Sequence, residues 1–287
     1  MGGWITTVAV GLVSGVLSGA FGIGGGLVTT PAIRLLLGYP ALIAVGTPLP
    51  VIVPGAFTGA LSYGRRGLAD VRAGVLMGLV GSVGSIGGAL LSAKAGGTIV
   101  LLATAALIFY AAGDMFLQHL REPASPKPAA PDDAAAGGAL SAAGEGESDE
   151  ALAPILPAPS GGTAGLWRLV AIGAVAGLYS GFLGLGGGFV IVPGLTRFCG
   201  MPVKRAIGTS LVTVAVLAVP GTIAHTMLGH VSWPLALLLA IGVVPGAVIG
   251  ARLTERASDR AIRLSFAAFL AVAGVWLAVS EIAGLHL

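Results

Sequence analysis

Charge is scarce in this chain. Asp, Glu, Lys and Arg make up 9% of its residues, against roughly 25% in a soluble globular domain. That deficit excludes an ordinary soluble enzyme or binding domain, and the lack of a basic cluster argues against a nucleic-acid partner. Cysteine occurs once, as Cys199, so no internal disulfide and no cysteine-based metal site can form. There is no Gly-x-x-x-x-Gly-Lys-Ser/Thr loop, which argues against an ATP-driven pump. The histidines (His119, His225, His230, His286) are scattered, and only His225 and His230 lie close together. A pair five residues apart beside a loop is a poor metal site, so neither a metal, a cofactor nor an enzyme activity is expected. The first residues lack a basic n-region, so that segment is expected to be retained. Met1-Gly2 with Thr6 fits a myristoylation pattern too short to use.

Apolar residues fill the space left by charge: 55% of the chain is hydrophobic and the mean hydropathy is +0.97. Apolar runs cover residues 44–62, 73–91, 97–117, 206–227, 234–249 and 264–282. A membrane-spanning helix needs about 20 such residues, whereas membrane strands would show ten-residue alternation. The expected fold is therefore an all-α polytopic membrane protein, its partner the lipid bilayer.

Glycine is abundant and ordered. Gly22-Ile23-Gly24-Gly25-Gly26 returns as Gly184-Leu185-Gly186-Gly187-Gly188, an offset of 162 (184 − 22). The match at that offset runs without a gap from Gly11/Gly173 to Leu91/Leu253, which marks an internal duplication. Other glycines recur every four residues: Gly11, Gly15, Gly19; Gly84, Gly88; Gly173, Gly177, Gly181; Gly242, Gly246, Gly250. Small residues at that spacing share one helix face and allow close helix–helix contact. Three adjacent glycines cannot form such a face, so the two triplets read as helix breaks.

Residues 118–165 change character, rich in Ala, Pro, Gly and acids with no hydrophobic period, and read as a disordered linker. It divides a first repeat (1–117) from a second (166–287). Arg65, Arg66 and Arg72 flank a loop whose counterpart near 227–234 has no Lys or Arg. Conversely, loop 38–44 has none, while its counterpart holds Lys204 and Arg205. Short cytoplasmic loops concentrate Lys and Arg, so equivalent loops are expected on opposite sides, as in two inverted-topology repeats. Each repeat would comprise a broken, re-entrant helical hairpin (4–19 then 27–37; 166–181 then 189–198) plus three transmembrane helices. The chain termini would lie outside the cell membrane and the linker in the cytoplasm.

Backbone groups freed at a break inside a membrane must face protein, water or a ligand. Consecutive glycine amides, with the positive end of the helix that follows, can cradle an anion. Ser18 and Ser180 lie four residues before the breaks and add hydroxyls. A second duplicated signature, Gly46-Thr47-Pro48-Leu49 and Gly208-Thr209-Ser210-Leu211, opens the next span in each half. It reads either as capping or as hydroxyls completing an anion shell. The expected site is thus Ser18, Gly22, Gly24, Gly25, Gly26, Thr47, Ser180, Gly184, Gly186, Gly187, Gly188, Thr209 and Ser210, for a small anionic substrate.

The pattern Ser-Gly-x-x-Gly-Ile/Leu-Gly-Gly-Gly-x-x-x-x-Pro, followed by Gly-Thr-Pro/Ser-Leu, resembles the TauE/SafE sulfite exporter family, also called the toluene sulfonate uptake permease family. The resemblance covers nearly the whole chain outside the linker. It implies a secondary transporter of sulfur-containing anions such as sulfite or organosulfonates, with Ser18, Gly22–Gly26, Thr47 and their second-half counterparts as implicated positions. A passive anion channel is the competing expectation. Candidate coupling groups are His225, aligned with Tyr63 and suited to a proton, and Arg34 and Arg197 near the returning helices, where both can equally snorkel to the interface. Asp114 is expected at the interface.

Overall fold

The computed structural model describes residues 2–104 and 162–258, with scattered positions at 106 and from 261 to 279. In chain order its helices are α1 (Gly2–Phe21), α2 (Gly26–Pro31, continuing as a π-helical turn over Ala32–Leu36), α3 (Ala41–Gly46), α4 (Pro48–Gly64), α5 (Val71–Ala95), α6 (Gly162–Leu183), α7 (Gly188–Cys199), α8 (Val203–Met227) and α9 (Trp233–Arg256). Residues 97–104 are also helical. Among the described residues, six segments are long and apolar enough to cross a membrane: Gly3–Phe21, Ala41–Gly64, Val71–Ala95, Gly165–Leu183, Val203–Met227 and Trp233–Thr254. Large apolar side chains such as Leu79, Val83, Leu237 and Ile241 point outward, as they do where the solvent is lipid. The protein is an all-α, multi-pass membrane protein.

The glycine ladders build the helix contacts. A side chain on Gly11, Gly15 or Gly19 of α1 would strike the backbone of Leu239, Val243 or Ala247 of α9. On Gly173, Gly177 or Gly181 of α6 it would strike Met77, Gly81 or Ser85 of α5. These backbones approach to a distance only hydrogen permits, and dispersion between them supplies the association that hydrophobicity cannot supply in lipid.

Helix directions follow from the same contacts. Residue numbers rise together along α1 and α9 and along α5 and α6. They also rise together along α5 and α8, where Gly74 meets Val212 and Gly78 meets Val216. Along α4 and α8 they run opposite: Gly59 meets Leu211, and Leu49 meets Gly221. Tyr63 at the end of α4 bonds the carbonyl of Gly19 near the end of α1. Helices α1, α4 and α9 therefore run one way, and α5, α6 and α8 the other.

Three sequence expectations change. The span expected from residue 44 is kinked: α3 starts at Ala41 and Pro48 opens α4, although Thr47 still donates its amide to Ile43. Its counterpart α8 begins at Val203, so Thr209 and Ser210 sit well inside a helix, not at an unsatisfied N-terminus. The α1 and α6 helices run two residues past Gly19 and Gly181. The linker lies outside the described residues except for its last four, which belong to α6. Asp114, His119, His286 and most of the 97–117 and 264–282 runs lie outside them too.

Candidate functional site

Both breaks are built alike. Helix α1 ends with Gly22 donating its amide to Ser18 (2.8 Å), and α6 with Gly184 donating to Ser180 (2.9 Å). The chain then reverses through left-handed backbone. Gly25 (φ 84°) and Gly187 (φ 73°) cap α2 and α7 in the αL conformation, with no side chain bonding the first-turn amides. Only glycine holds that conformation without a penalty of about 1–2 kcal/mol. Val28 and Val190 donate their amides to the Gly25 and Gly187 carbonyls (both 3.1 Å), but the two amides before each have no carbonyl one turn back to receive them, so each short helix directs uncapped N–H groups and its positive end into the break.

The two breaks meet. A methyl group on Gly26 would strike the Gly184–Leu185 backbone, and one on Gly188 would strike Gly22–Ile23. The side-chain direction of Gly24 points within 3.7 Å of the Gly186 Cα. Gly184 rests on the Val45 carbonyl of α3 and Gly22 on the Ile207 carbonyl of α8, a pair again related by the 162-residue offset. Ile52 and Val214, offset by the same 162 residues, pack against both Gly24 and Gly186. All ten residues of the two breaks are buried.

The hydroxyls divide into bonded and unbonded. Ser18 and Ser180 are fully buried and their Oγ atoms have no hydrogen-bond partner. A buried unpaired hydroxyl costs about 1–3 kcal/mol, so two at matching positions beside two uncapped helix starts form a concentration of unused donors. Thr47 and Thr209 are engaged elsewhere. Thr47 Oγ1 accepts from the Ser232 amide (3.1 Å) and Thr209 Oγ1 from the Asp70 amide (2.9 Å), each tying a span of one half to a loop of the other. Asp70 also caps α5 by accepting from Ala73 and pairs with Arg205 at 3.5 Å. Ser210 donates to the Gly22 carbonyl (2.8 Å).

Arg34 and Arg197 sit eight or nine residues along the short helices, roughly 12 Å from the breaks at 1.5 Å per residue, and at opposite ends of the bundle. Arg34 donates to the Tyr39 carbonyl, while Arg197 is exposed near the Phe198 carbonyl that Arg168 bonds. His225 is buried and bonded to the Gly181 carbonyl at 2.7 Å. The sequence did not single out Ser14, which donates to the Gly25 carbonyl (2.7 Å), because its counterpart Ala176 breaks the repeat. Ile52 and Val214 were also missed; their common offset was the available signal.

The sequence pattern of the family described as Sulfite exporter TauE/SafE matches residues 7–277. The probable membrane transporter protein YunE of Bacillus subtilis is 26% identical over 257 residues, covering 87% of this chain and 86% of that protein. The probable membrane transporter protein MJ0441 of Methanocaldococcus jannaschii is 23% identical, covering 94% of this chain and 93% of that protein. The probable membrane transporter protein MamO of Magnetospirillum gryphiswaldense is 28% identical over 92% of this chain but 43% of its own length. No solved structure matches. With the family pattern spanning both breaks and both sets of crossing helices, the chain belongs to the TauE/SafE sulfite exporter family of membrane transporters.

Proposed function

We propose that the protein is a secondary transporter, not an enzyme, that moves a small sulfur-containing anion (sulfite, an organosulfonate or a related oxyanion) by alternating access around the paired breaks. The observation that carries this reading is the coincidence of two uncapped helix starts with the two unpartnered, fully buried hydroxyls of Ser18 and Ser180. Neutral N–H and O–H donors can hold an oxyanion without a fixed cation in lipid. The family's name supplies the chemical class of the anion.

Helix directions support an inverted repeat. At the common offset α1 corresponds to α6, α4 to α8 and α5 to α9, and each pair runs in opposite directions. Rocking one half against the other would part the breaks and withdraw Ile52 or Val214 from between them, opening the site to one face at a time. Arg65, Arg66, Arg72, Arg168, Arg197, Lys204, Arg205, Arg252 and Arg256 gather at one end of the bundle, against Arg34 and Lys94 at the other. The basic end is then cytoplasmic in a cell membrane, and the 118–165 linker with it. Arg34 and Arg197, roughly 12 Å along the short helices from the breaks, are placed to act as interfacial anchors.

Radiolabelled sulfite and sulfonate flux into proteoliposomes tests the proposal. Saturable flux, abolished by Gly25→Leu and by Gly187→Leu in protein that still inserts and folds, is expected. Normal flux in both variants refutes the site, flux that never saturates refutes a carrier, and no flux of any sulfur anion refutes the substrate class.

A further inference from the structure

His225 and His230 form a closely defined pair at the end of the bundle that carries Arg34 and Lys94, opposite the arginine cluster at the basic end. His225 Nε2 lies 2.7 Å from the Gly181 carbonyl, and its Nδ1 lies 3.3 Å from Nδ1 of His230. A carbonyl only accepts, so His225 Nε2 carries hydrogen, which leaves Nδ1 of the neutral ring bare. His230 Nδ1–H then donates to it. The remaining ring nitrogen, His230 Nε2, is the bare one, on a residue 9% exposed while His225 is 0% exposed. The ring centroids stand 5.4 Å apart, and the His230 amide donates to the His225 carbonyl at 2.9 Å, which fixes the turn joining them.

The surroundings isolate the pair. Helix α6 presents the Gly181 carbonyl, with the Ser180 hydroxyl and half-buried Tyr179 nearby in sequence; α5 presents Ser85 beside Gly221 and carries its one cation of that end, Lys94, on an exposed last turn. Helix α3 presents the backbone of Gly46, against which His230 is seated, and the start of α4 presents the Thr47 hydroxyl bonded to Ser232. Among the described residues, the titratable group acting on His225 is His230. The pair grips both walls of the second break. Gly181 lies one turn before Gly184, and Gly184 rests on Val45, next to Gly46.

We propose that His225 and His230 together bind a single proton, and that this is the ion coupled to movement of the second break. The incoming proton lands on His230 Nε2. The ring becomes an imidazolium, and its Nδ1–H bond to His225 becomes charge-assisted and stronger. A second proton would set two N–H groups against each other across 3.3 Å, so the pair takes one proton and not two. The counterpart of His225 in the first half is Tyr63, whose hydroxyl donates to the Gly19 carbonyl at 3.0 Å, the position equivalent to Gly181. A phenol stays neutral at physiological pH, so the proton acts on one half. The coupling role rests on the transporter reading above; the proton site does not.

The test is a titration of the full chain, labelled with 15N-histidine, in lipid nanodiscs from about pH 4 to 8, with no anion present. The ring signals of His225 and His230 should shift together at one midpoint, with one proton taken up, and His230→Gln should remove that event. In proteoliposomes, flux should fall about tenfold per pH unit above the midpoint, as for a one-proton step, and lose that dependence in His230→Gln. Separate midpoints, or uptake of two protons, overturn the shared site. A shared midpoint with flux indifferent to His230→Gln overturns the coupling while leaving the anion site intact.

Discussion

If the two breaks meet as described, adding one carbon to either of two glycines should disable the protein more than adding it to glycines with stranger backbones. Gly26 and Gly188 are helical, so alanine there carries no φ penalty. The methyl on Gly26 would nonetheless lie 2.5 Å from the Gly184 oxygen and 2.8 Å from the Leu185 Cα, and that on Gly188 would lie 2.7 Å from the Ile23 Cα. Each contact is with backbone and must open by most of an ångström. Overpacking of this kind costs about 1–3 kcal/mol and shifts the backbone. Gly38 and Gly96 make the controls, with φ of 69° and 83° and nothing within 4 Å of an added carbon. Alanine there costs about 1–2 kcal/mol of left-handed strain but moves no neighbour. Thermal unfolding in detergent and anion flux in proteoliposomes should therefore separate. All four variants lose stability on the same scale, while Gly26→Ala and Gly188→Ala alone lose flux, by tenfold or more. Equal flux in the four would refute direct contact between the breaks.

Ser18→Ala and Ser180→Ala remove buried hydroxyls that bond nothing, so melting temperature should hold or rise while anion affinity falls; a fall in melting temperature with unchanged affinity would count against the site. Asp70→Ala loses the α5 cap, worth about 1 kcal/mol, and a 3.5 Å ion pair to Arg205 that is worth less, whereas Asp70→Asn keeps the cap and should retain most of the stability in the same melt.

The legible parts of this chain were those written in glycine and in repetition. Ladders at four-residue spacing can serve little but close helix contact, and the structure uses them so between α1 and α9 and between α5 and α6. The triplets read as breaks because no helix face can be made of three consecutive residues, and they are breaks. Other features were hidden for physical reasons. A hydroxyl in a helix has several acceptors within reach, and only the fold decides which it takes. Thr47 and Thr209 reach across to the amides of Ser232 and Asp70, pairings 185 and 139 residues apart in sequence. The ends of α3 and α8 were misplaced because Pro40 and Pro202 start them on extended backbone, upstream of the first uninterrupted apolar run. The partner of His225 lies five residues away, which an α-helical reading puts off to one side; the turn at Gly229 (φ 72°) folds it back.

The duplication is not symmetrical in its chemistry, and the differences fall on one side. The first break is tied to neighbouring helices by two side-chain bonds, Ser14 to the Gly25 carbonyl and Ser210 to the Gly22 carbonyl, and Thr29 within α2 adds a further bond to the Gly25 carbonyl. At the same offset the second break faces Ala176 and Pro48, neither of which can donate, and among the described residues no side chain bonds 184–188. Two bonds of about 1 kcal/mol each are enough to bias which break yields when the halves rock. The second break should be the moving one, and it is the one gripped by His225 rather than by the unchanging Tyr63. Amide hydrogen exchange measures this directly. Amides of residues 186–190 should exchange about tenfold or more faster than those of 24–28, the ratio expected for a difference near 1.4 kcal/mol. Ser14→Ala with Ser210→Ala should bring the two rates together by speeding the first break. If the first break already exchanges as fast as the second, or if the double variant leaves its rate untouched, the serines do not pin it and the halves move alike.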